Sequence, residues 1–413
     1  MDELTYMMFL CHYDCAHHEQ QKNNEIIDAT HRRRRRPFRA HLCAEGKRRR
    51  DRRIPRALLP MPWNLPWEMI YGSANDQAII TLTGFDSASF NRLHGHFCQF
   101  FNWFTPHVGN DGKLAILQRR IGGDLVSRGK KRIITSDACL GLLLVFNRTT
   151  VQNFMLSCLF GLSDTSVCLY TRFARLIVIR LLKHHPLAKI TLPTNEKVAE
   201  YKQAIAAKYP LLQNVYCVCN GLKISIQAAG KQHVQRGFYN GWQKDHCISN
   251  IFVFVPDGTI LAVALNCPGC MHDSSVAEQG LIYAKLEEVH ARVPGGAVCV
   301  MDSAFSSVGR KYVLKSIQAI HRAENAQEFL MLEEATKVRQ AAEWGMRALR
   351  SSFGRLRGTL KYEIKGQRSL ILQSIVYLHN WRVNTVGLNQ IQTVFMPHLA
   401  QNVDQYLFGE DFV

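Results

Sequence analysis

The sequence predicts an α/β fold, a mixed sheet with flanking helices, preceded by an all-α region. Three observations carry this. Apolar residues recur at helical spacing up to about residue 205, the period changes to that of strands after Pro210, and helical spacing returns from residue 326. At 413 residues the chain exceeds one typical domain, and with 47% hydrophobic residues it can fill a sizeable core. The expected division is a basic arm and proline-rich linker at residues 1–78, a helical region at 79–205 and an α/β domain at 206–404.

The formal net charge of +18 is concentrated near the start of the chain. Between His31 and Arg56, thirteen Lys and Arg side chains, including Arg32, Arg33, Arg34, Arg35 and Arg36, face only Glu45 and Asp51, a local charge of +11. Such a block repels itself and suits a phosphate backbone or a nuclear-import receptor; a solvated low-complexity tail is the plainer reading. DNA and a nuclear location are therefore expected. No apolar run approaches the roughly 18 residues of a membrane span, and no signal-peptide pattern opens the chain, so no membrane partner is expected. The thirteen cysteines lack a regular framework, as in a reducing compartment. Cys11, His12, Cys15, His17 and His18, and separately Cys267-Pro268-Gly269-Cys270, resemble zinc ligand spacings. Neither has a second ligand pair at the right distance, which argues against structural zinc.

Taken in order, the stretch from Pro60 through Trp63 and Pro66 to Trp67 reads as a linker, with order beginning near Ile79. Phe85, Phe90, Leu93, Phe97, Phe101 and Phe104 then recur at helical spacing, a core face. In residues 137–185, Leu159-Phe160-Gly161-Leu162-Ser163-Asp164 reads as a helix ending at glycine, a short turn and a new helix capped by Ser163 or Asp164. The new helix carries Tyr170, Arg172, Phe173, Arg175 and Arg180. That is a helix-turn-helix pattern, with Arg172 and Arg175 as candidate DNA contacts, although an ordinary helical hairpin has the same signature.

Short apolar runs at 214–219 and 222–227 flank Asn220-Gly221, so a first strand is expected to end at Asn220. Residues 248–255 and 259–265 flank Pro256-Asp257-Gly258, a hairpin signal. A helix is expected at 275–289, a strand at 297–301 delivering Asp302, and a helix at 326–360 containing Glu343. A strand meander, a helix, another strand and further helices form a mixed sheet of the ribonuclease-H-like kind.

Acids delivered from separate elements to one sheet edge are how a chain holds divalent metal ions, which demand oxygen ligands and activate water or a hydroxyl towards a phosphodiester. Asp302 follows four apolar residues, where solvation explains a carboxylate poorly. Asp273, in His272-Asp273-Ser274-Ser275, reads either as a helix cap or as a further ligand. Arg236, Lys244, Arg350, Lys223, Arg347 and Arg355 are candidate phosphate contacts or solvated charges.

The motifs Arg236-Gly237-Phe238-Tyr239-Asn240-Gly241-Trp242, Pro256-Asp257-Gly258, Pro268-Gly269-Cys270-Met271-His272-Asp273-Ser274 and Asp302-Ser303-Ala304-Phe305 occur in that order. Over residues 81–404, and most closely over 220–353, the chain resembles Harbinger-type transposase-derived proteins with a DDE superfamily endonuclease domain. Residues 131–182 resemble the helical region such proteins place before their nuclease. The resemblance implies a ribonuclease-H-like fold, Mg²⁺ or Mn²⁺, and cutting and joining of DNA, with a homo-oligomer or an accessory DNA-binding protein as partner. It puts Asn220 in the slot of the first catalytic acid, Asp302 in that of the second, and Glu343 as the third. Asp302 and Glu343, with Asp273, are then the metal ligands. Two departures stand out. Position 220 is an amide, and the slot three residues before Phe353-Gly354-Arg355-Leu356-Arg357, where the family commonly has its third acid, is Arg350. An impaired endonuclease and a DNA-binding or adaptor protein without catalysis are both compatible with this pattern.

Overall fold

The structure, a computed structural model, describes residues 59, 65–73, 75–108, 114–116, 118–121, 124–127, 132–228, 232–316, 325–361 and 365–399. The basic arm with Arg32, Arg33, Arg34, Arg35 and Arg36, and the cysteine and histidine cluster near residue 11, lie outside these. Residues Leu59–Val413 form one unit.

The first helix, α1 (Pro66–Gly72), begins inside the segment expected to be a linker. Proline is tolerated at the first helical position, where its missing N–H has no partner to lose. Trp67 anchors α1. Its indole is fully buried, donates from Nε1 to Asp137 Oδ2 at 3.1 Å, and lies so close to Gly141 that a Cβ there would sit 2.3 Å from the ring. Helix α2 (Asp76–Thr83) starts at the Asn75 cap and stops at Gly84, whose φ of 84° is the left-handed conformation. In α3 (Ser87–Trp103) the Asp86 carboxylate caps the Ser89 amide at 2.6 Å, and Phe90, Leu93, Phe97 and Phe101 are buried as their spacing predicts.

Four short strands then interrupt a region expected to be helical throughout. β1 (Phe104–Val108) pairs with β2 (Leu114–Ile116), and β3 (Gln118–Ile121) with β4 (Asp124–Ser127), both antiparallel. Gly122-Gly123 between β3 and β4 is a hairpin signal that the helical reading passed over. The helices α4 (Ser136–Arg148), α5 (Asn153–Phe160) and α6 (Asp164–Leu182) follow. As expected, α5 ends at Gly161 with φ 62°, and Ser163 caps α6. The α5 and α6 axes meet at 87°. Among the described residues no single helix is long and apolar enough to cross a membrane.

After α7 (Asn195–Ala206) comes the central strand β5 (Val215–Ser225), then α8 (Gln232–Phe238), β6 (Tyr239–Asn240), β7 (Asp245–Phe254) and β8 (Ile260–Pro268). Helices α9 (Asp273–Gln279) and α10 (Ile282–Arg292) lead to β9 (Val298–Met301) and β10 (Val313–Lys315). After β10 come α11 (Ala326–Ser352), a 3₁₀ turn at Gly354–Arg357, α12 (Lys365–Thr385) and α13 (Gln390–Phe395). In the main sheet β10, β9, β5 and β7 are neighbours in that order, with β8 and β6 also paired to β7. The β5–β9 and β9–β10 pairs are parallel, while β5–β7, β7–β8 and β6–β7 are antiparallel. The fold is therefore mixed α/β.

Three expected boundaries shift. β5 runs unbroken through Asn220-Gly221 because β7 pairs with every residue from Val218 to Ser225. The helix expected at 275–289 is two helices, broken at Leu281, which has φ 55°. The helix expected at 326–360 stops at Ser352, where Phe353-Gly354 begins the 3₁₀ turn.

Strand pairing sorts side chains by parity, because successive residues point to opposite faces. Val218 pairs with Phe254 and Asn220 with Phe252, so these four share one face. A Cβ on Gly345 would meet the Phe254 ring at 2.7 Å, which places α11 on that face. Helix α12 packs there too, with His379 and Phe254 rings 6.1 Å apart. Asn380 of α12 completes the β8 margin, its amide accepting from Ile260 N at 2.7 Å and donating to Ile260 O at 3.0 Å. Two arginines join the helical layer to the sheet reciprocally. Arg148 at the end of α4 donates to the Ser351 and Ser352 carbonyls ending α11, and Arg355 donates to the Phe146 carbonyl ending α4.

Two outcomes follow. Trp67→Ala should cost about 3–5 kcal/mol in denaturant unfolding, as truncation of a fully buried aromatic does, whereas a true linker residue would cost nothing measurable. His379 is buried, with Nε2 3.2 Å from the Gly258 carbonyl, and desolvation pushes its imidazole down to about 4. Its neutral form therefore stabilises the fold fully above pH 6.5, and that contribution, about 3 kcal/mol, is lost as pH falls from 6.5 towards 4. His379→Gln should flatten the unfolding free energy against pH across that window.

Candidate active site on the central strands

Asn220 sits mid-strand in β5, half-buried, with its Oδ1 accepting from the Gly221 amide at 2.7 Å. Cys219 pairs in parallel with Met301, so one residue further along each chain brings Asn220 beside Asp302, just beyond the end of β9. Asp302 is also half-buried. Its Oδ1 accepts from the Ser303 amide at 2.6 Å, and its carbonyl accepts from the Phe305 amide at 3.1 Å. The turn so made is held from both sides. Phe305 is buried, and the Ser306 amide donates to Tyr283 Oη at 3.0 Å.

Glu343 lies on α11, on the same face as Asn220. The helix runs alongside β5: Glu334 Oε2 accepts from the Leu211 amide just before the strand, and Arg350 Nη2 donates to the Lys223 carbonyl at 2.9 Å near its end. Glu343 is seven residues before Arg350, about 10 Å back along the helix, level with the middle of β5. It pairs with Arg339 at 2.9 Å. The pair is one helical turn apart and the Glu343 side chain is half exposed, so opening it costs only about 0.3–0.5 kcal/mol.

Asp273 does not join this set. Gly221 and Lys223 point to the face opposite Asn220, and Asp273 lies against them, its Oδ1 2.5 Å from Lys223 Nζ. A Cβ on Gly221 would be 2.6 Å from Asp273 Oδ2, so glycine is what lets the carboxylate approach the strand. Asp273 is not the cap of α9 either, since the His272 side chain caps it. Both sequence readings of Asp273 give way to an ion pair.

Across the sheet from Asn220 and Asp302, the opposite face of β5 and β9 is thiol-lined. Cys217, Cys219 and Cys299 are buried on β5 and β9, and burial, reinforced by the neighbouring Cys217 and Cys219, holds the Cys299 thiol well above the usual range. The Cys299 thiol is therefore protonated and adds no charge.

Several expected phosphate contacts are engaged elsewhere. Arg175 is only 4% exposed, its guanidinium 5.2 Å from the Phe146 ring centre, and burial with Arg355 beside it pushes it down to about 9. It faces the core and not DNA, because α6 is buried along most of its length. Arg172, on the same helix, is half-buried with a buried Nε. Arg355 lies 3.8 Å from the centre of the Phe146 ring while capping α4, and Lys223 is held by Asp273 and Ser249. Arg236, in the last turn of α8, is exposed, as are Lys244 and Arg350.

Residues 219–380 match the DDE superfamily endonuclease family. The match begins one residue before Asn220, takes in Asp302 and Glu343, and supports a DDE transposase-derived domain with a nuclease-like function. No curated protein and no solved structure matches the chain. A DDE superfamily endonuclease acts on DNA and uses divalent metal ions, which makes the oxygen ligands here the decisive test. The described residues contain no group of three or more His, Cys, Asp or Glu side chains arranged to hold a metal ion. Asn220 offers a neutral oxygen, Glu343 is turned to Arg339, and Asp273 is on the far face. As arranged, the residues do not fit a pair of divalent ions.

Sequence order alone could not separate Asp273 from Asp302. The signal that does so is parity along β5, visible only once strand register is known. Gly221→Ala should therefore push Asp273 away from Lys223 and destabilise the fold by about 1–3 kcal/mol, measured by chemical unfolding. Gly237→Ala, where an added Cβ meets nothing within 4 Å, is the control and should be neutral.

Proposed function

We propose that the chain is a transposase-derived protein of the DDE endonuclease type that engages DNA and whose own phosphodiester cleavage is impaired at Asn220. The observation that carries this reading is the placement of Asn220 beside Asp302 on adjacent parallel strands, within the family match. The strand order, an antiparallel meander β5–β7–β8 continued on the other side of β5 by parallel β9 and β10, supports a ribonuclease-H-like domain of Harbinger type. Replacing a carboxylate by an amide removes one full charge from a site built to face cations. Hydrogen bonding does not restore it. Glu343 is held too weakly for its pairing with Arg339 to be the cause of the defect.

DNA is engaged through the basic arm, including Arg32 to Arg36, whose charge also favours nuclear import. The 87° crossing of α5 and α6 with its short glycine-containing turn supports a helix-turn-helix-like region. A second reading, a DNA-binding or adaptor protein with no catalysis left, is favoured by the same missing charge; a second copy or an accessory DNA-binding protein completes either assembly.

Nicking of supercoiled plasmid in Mg²⁺ or Mn²⁺ separates these readings. Asn220→Asp should gain cutting at least about 100-fold above the unmodified chain, by the loss expected for one ligand charge, and Asn220→Asp with Asp302→Ala should lose it. If Asn220→Asp binds DNA and still does not cut, the non-catalytic reading replaces this one.

A further inference from the structure

Trp242 has 95% of its surface open, the highest of any large apolar side chain among the described residues. It lies in the turn between β6 and β7, and that turn is held in place beneath it. The Asn240 side chain accepts from the Gln243 amide at 3.0 Å and donates to the Gly269 carbonyl at 2.7 Å. Lys244 takes φ 54° in the same turn, and the Tyr239 ring rests 5.4 Å from His246. A fixed backbone thus presents an indole that packs on nothing. A single exposed apolar residue needs no explanation by itself; the surroundings of this one do.

Backbone hydrogen bonds gather exposed cations at the same end of the sheet. The Ile226 amide donates to the His246 carbonyl at 2.8 Å, the Gln227 amide to the Leu360 carbonyl at 2.8 Å, and the Leu360 amide to the Ser225 carbonyl at 3.0 Å. Lys244 and Lys361 flank these contacts, and Arg350 is bonded to the Lys223 carbonyl nearby. All three cations are exposed, and none forms an ion pair among the described residues. The one described acid in the turn, Asp245, accepts from Ser225 Oγ at 2.7 Å. β5 leads from Asn220 to this end, which therefore lies about 15–20 Å beyond Asn220 by strand rise, or about five nucleotides of one strand.

An exposed aromatic on a rigid turn beside unpaired cations is the combination that binds single-stranded nucleic acid, the ring stacking on a base and the cations tracking phosphates. We infer that Trp242 stacks on an unpaired nucleobase of single-stranded or frayed DNA, with Lys244, Arg350 and Lys361 holding the adjoining phosphates. The inference rests on the DNA-directed reading above, and it needs no cleavage.

The test uses the full chain in EDTA and a single-stranded oligonucleotide with one 2-aminopurine moved through successive positions. Stacking on Trp242 should quench the fluorophore at a restricted position. Trp242→Ala should abolish the quench and weaken single-strand binding about 10- to 100-fold while changing blunt-duplex binding less; Trp242→Phe should keep part of both. Lys244→Ala with Lys361→Ala should keep the quench and lower the salt dependence of binding. Quench and affinity unchanged in Trp242→Ala overturn the inference, as does a Trp242→Ala effect confined to self-association, which would assign the turn to a second copy of the chain. Plasmid nicking by Asn220→Asp is read separately. Its failure beside a Trp242-dependent quench removes the nuclease reading alone, and its success without such a quench removes this inference alone.

Discussion

The arrangement depends on β5 being hydrogen-bonded along both edges. β7 pairs with it on one side and β9 on the other, so neither its register nor its parity can slip without moving an entire face of side chains. That constraint carries Asn220 to the α11 face and Gly221 and Lys223 to the opposite one. It also sets Asp302 at the level of Asn220, because a parallel partner advances in step. The sheet is what turns residues 82 positions apart in sequence into neighbours.

Basic composition has two separate uses in this chain. Arg148, Arg355 and Arg382 donate to the carbonyls of Ser351, Phe146 and Gly84, where helices end with unsatisfied acceptors. Burial lowers the pKa of all three, yet guanidinium stays charged, so these half-buried groups spend their donors on carbonyls that join the helices. Lys244, Arg350 and Lys361 are instead exposed and unpaired among the described residues. A count of arginines and lysines merges the two groups, although only the second can meet a phosphate.

The electrostatics of the site follow from what lies under it. On the opposite face of the strands the buried Cys299 thiol stays neutral, and the Asp273 charge is taken up there by Lys223. No other described carboxylate is placed to substitute for the charge absent at position 220, since Glu343 is the one acid of α11 level with mid-β5 and it leans on Arg339. A single amide therefore decides the charge of the whole site.

Much was legible in the sequence. Phe90, Leu93, Phe97 and Phe101 marked a core face by spacing; Gly161 and Ser163 marked the end of one helix and the start of another; Pro256-Asp257-Gly258 marked the β7–β8 hairpin. Each is a local signal, written within one or two turns of chain. Asn220-Gly221 misled for the same reason, as its turn propensity is outweighed by ladder bonds from a strand 30 residues away. Asp302 was placed correctly because a strand end is local, whereas Asp273, Arg175 and Arg355 were not, because face, burial and partner come from elements distant in sequence. The sequence by itself determined which residue types exist for the site and that one expected acid is an amide. Only the tertiary structure decided which of them share a face, because pairing register and helix packing are contacts between segments that no local pattern encodes.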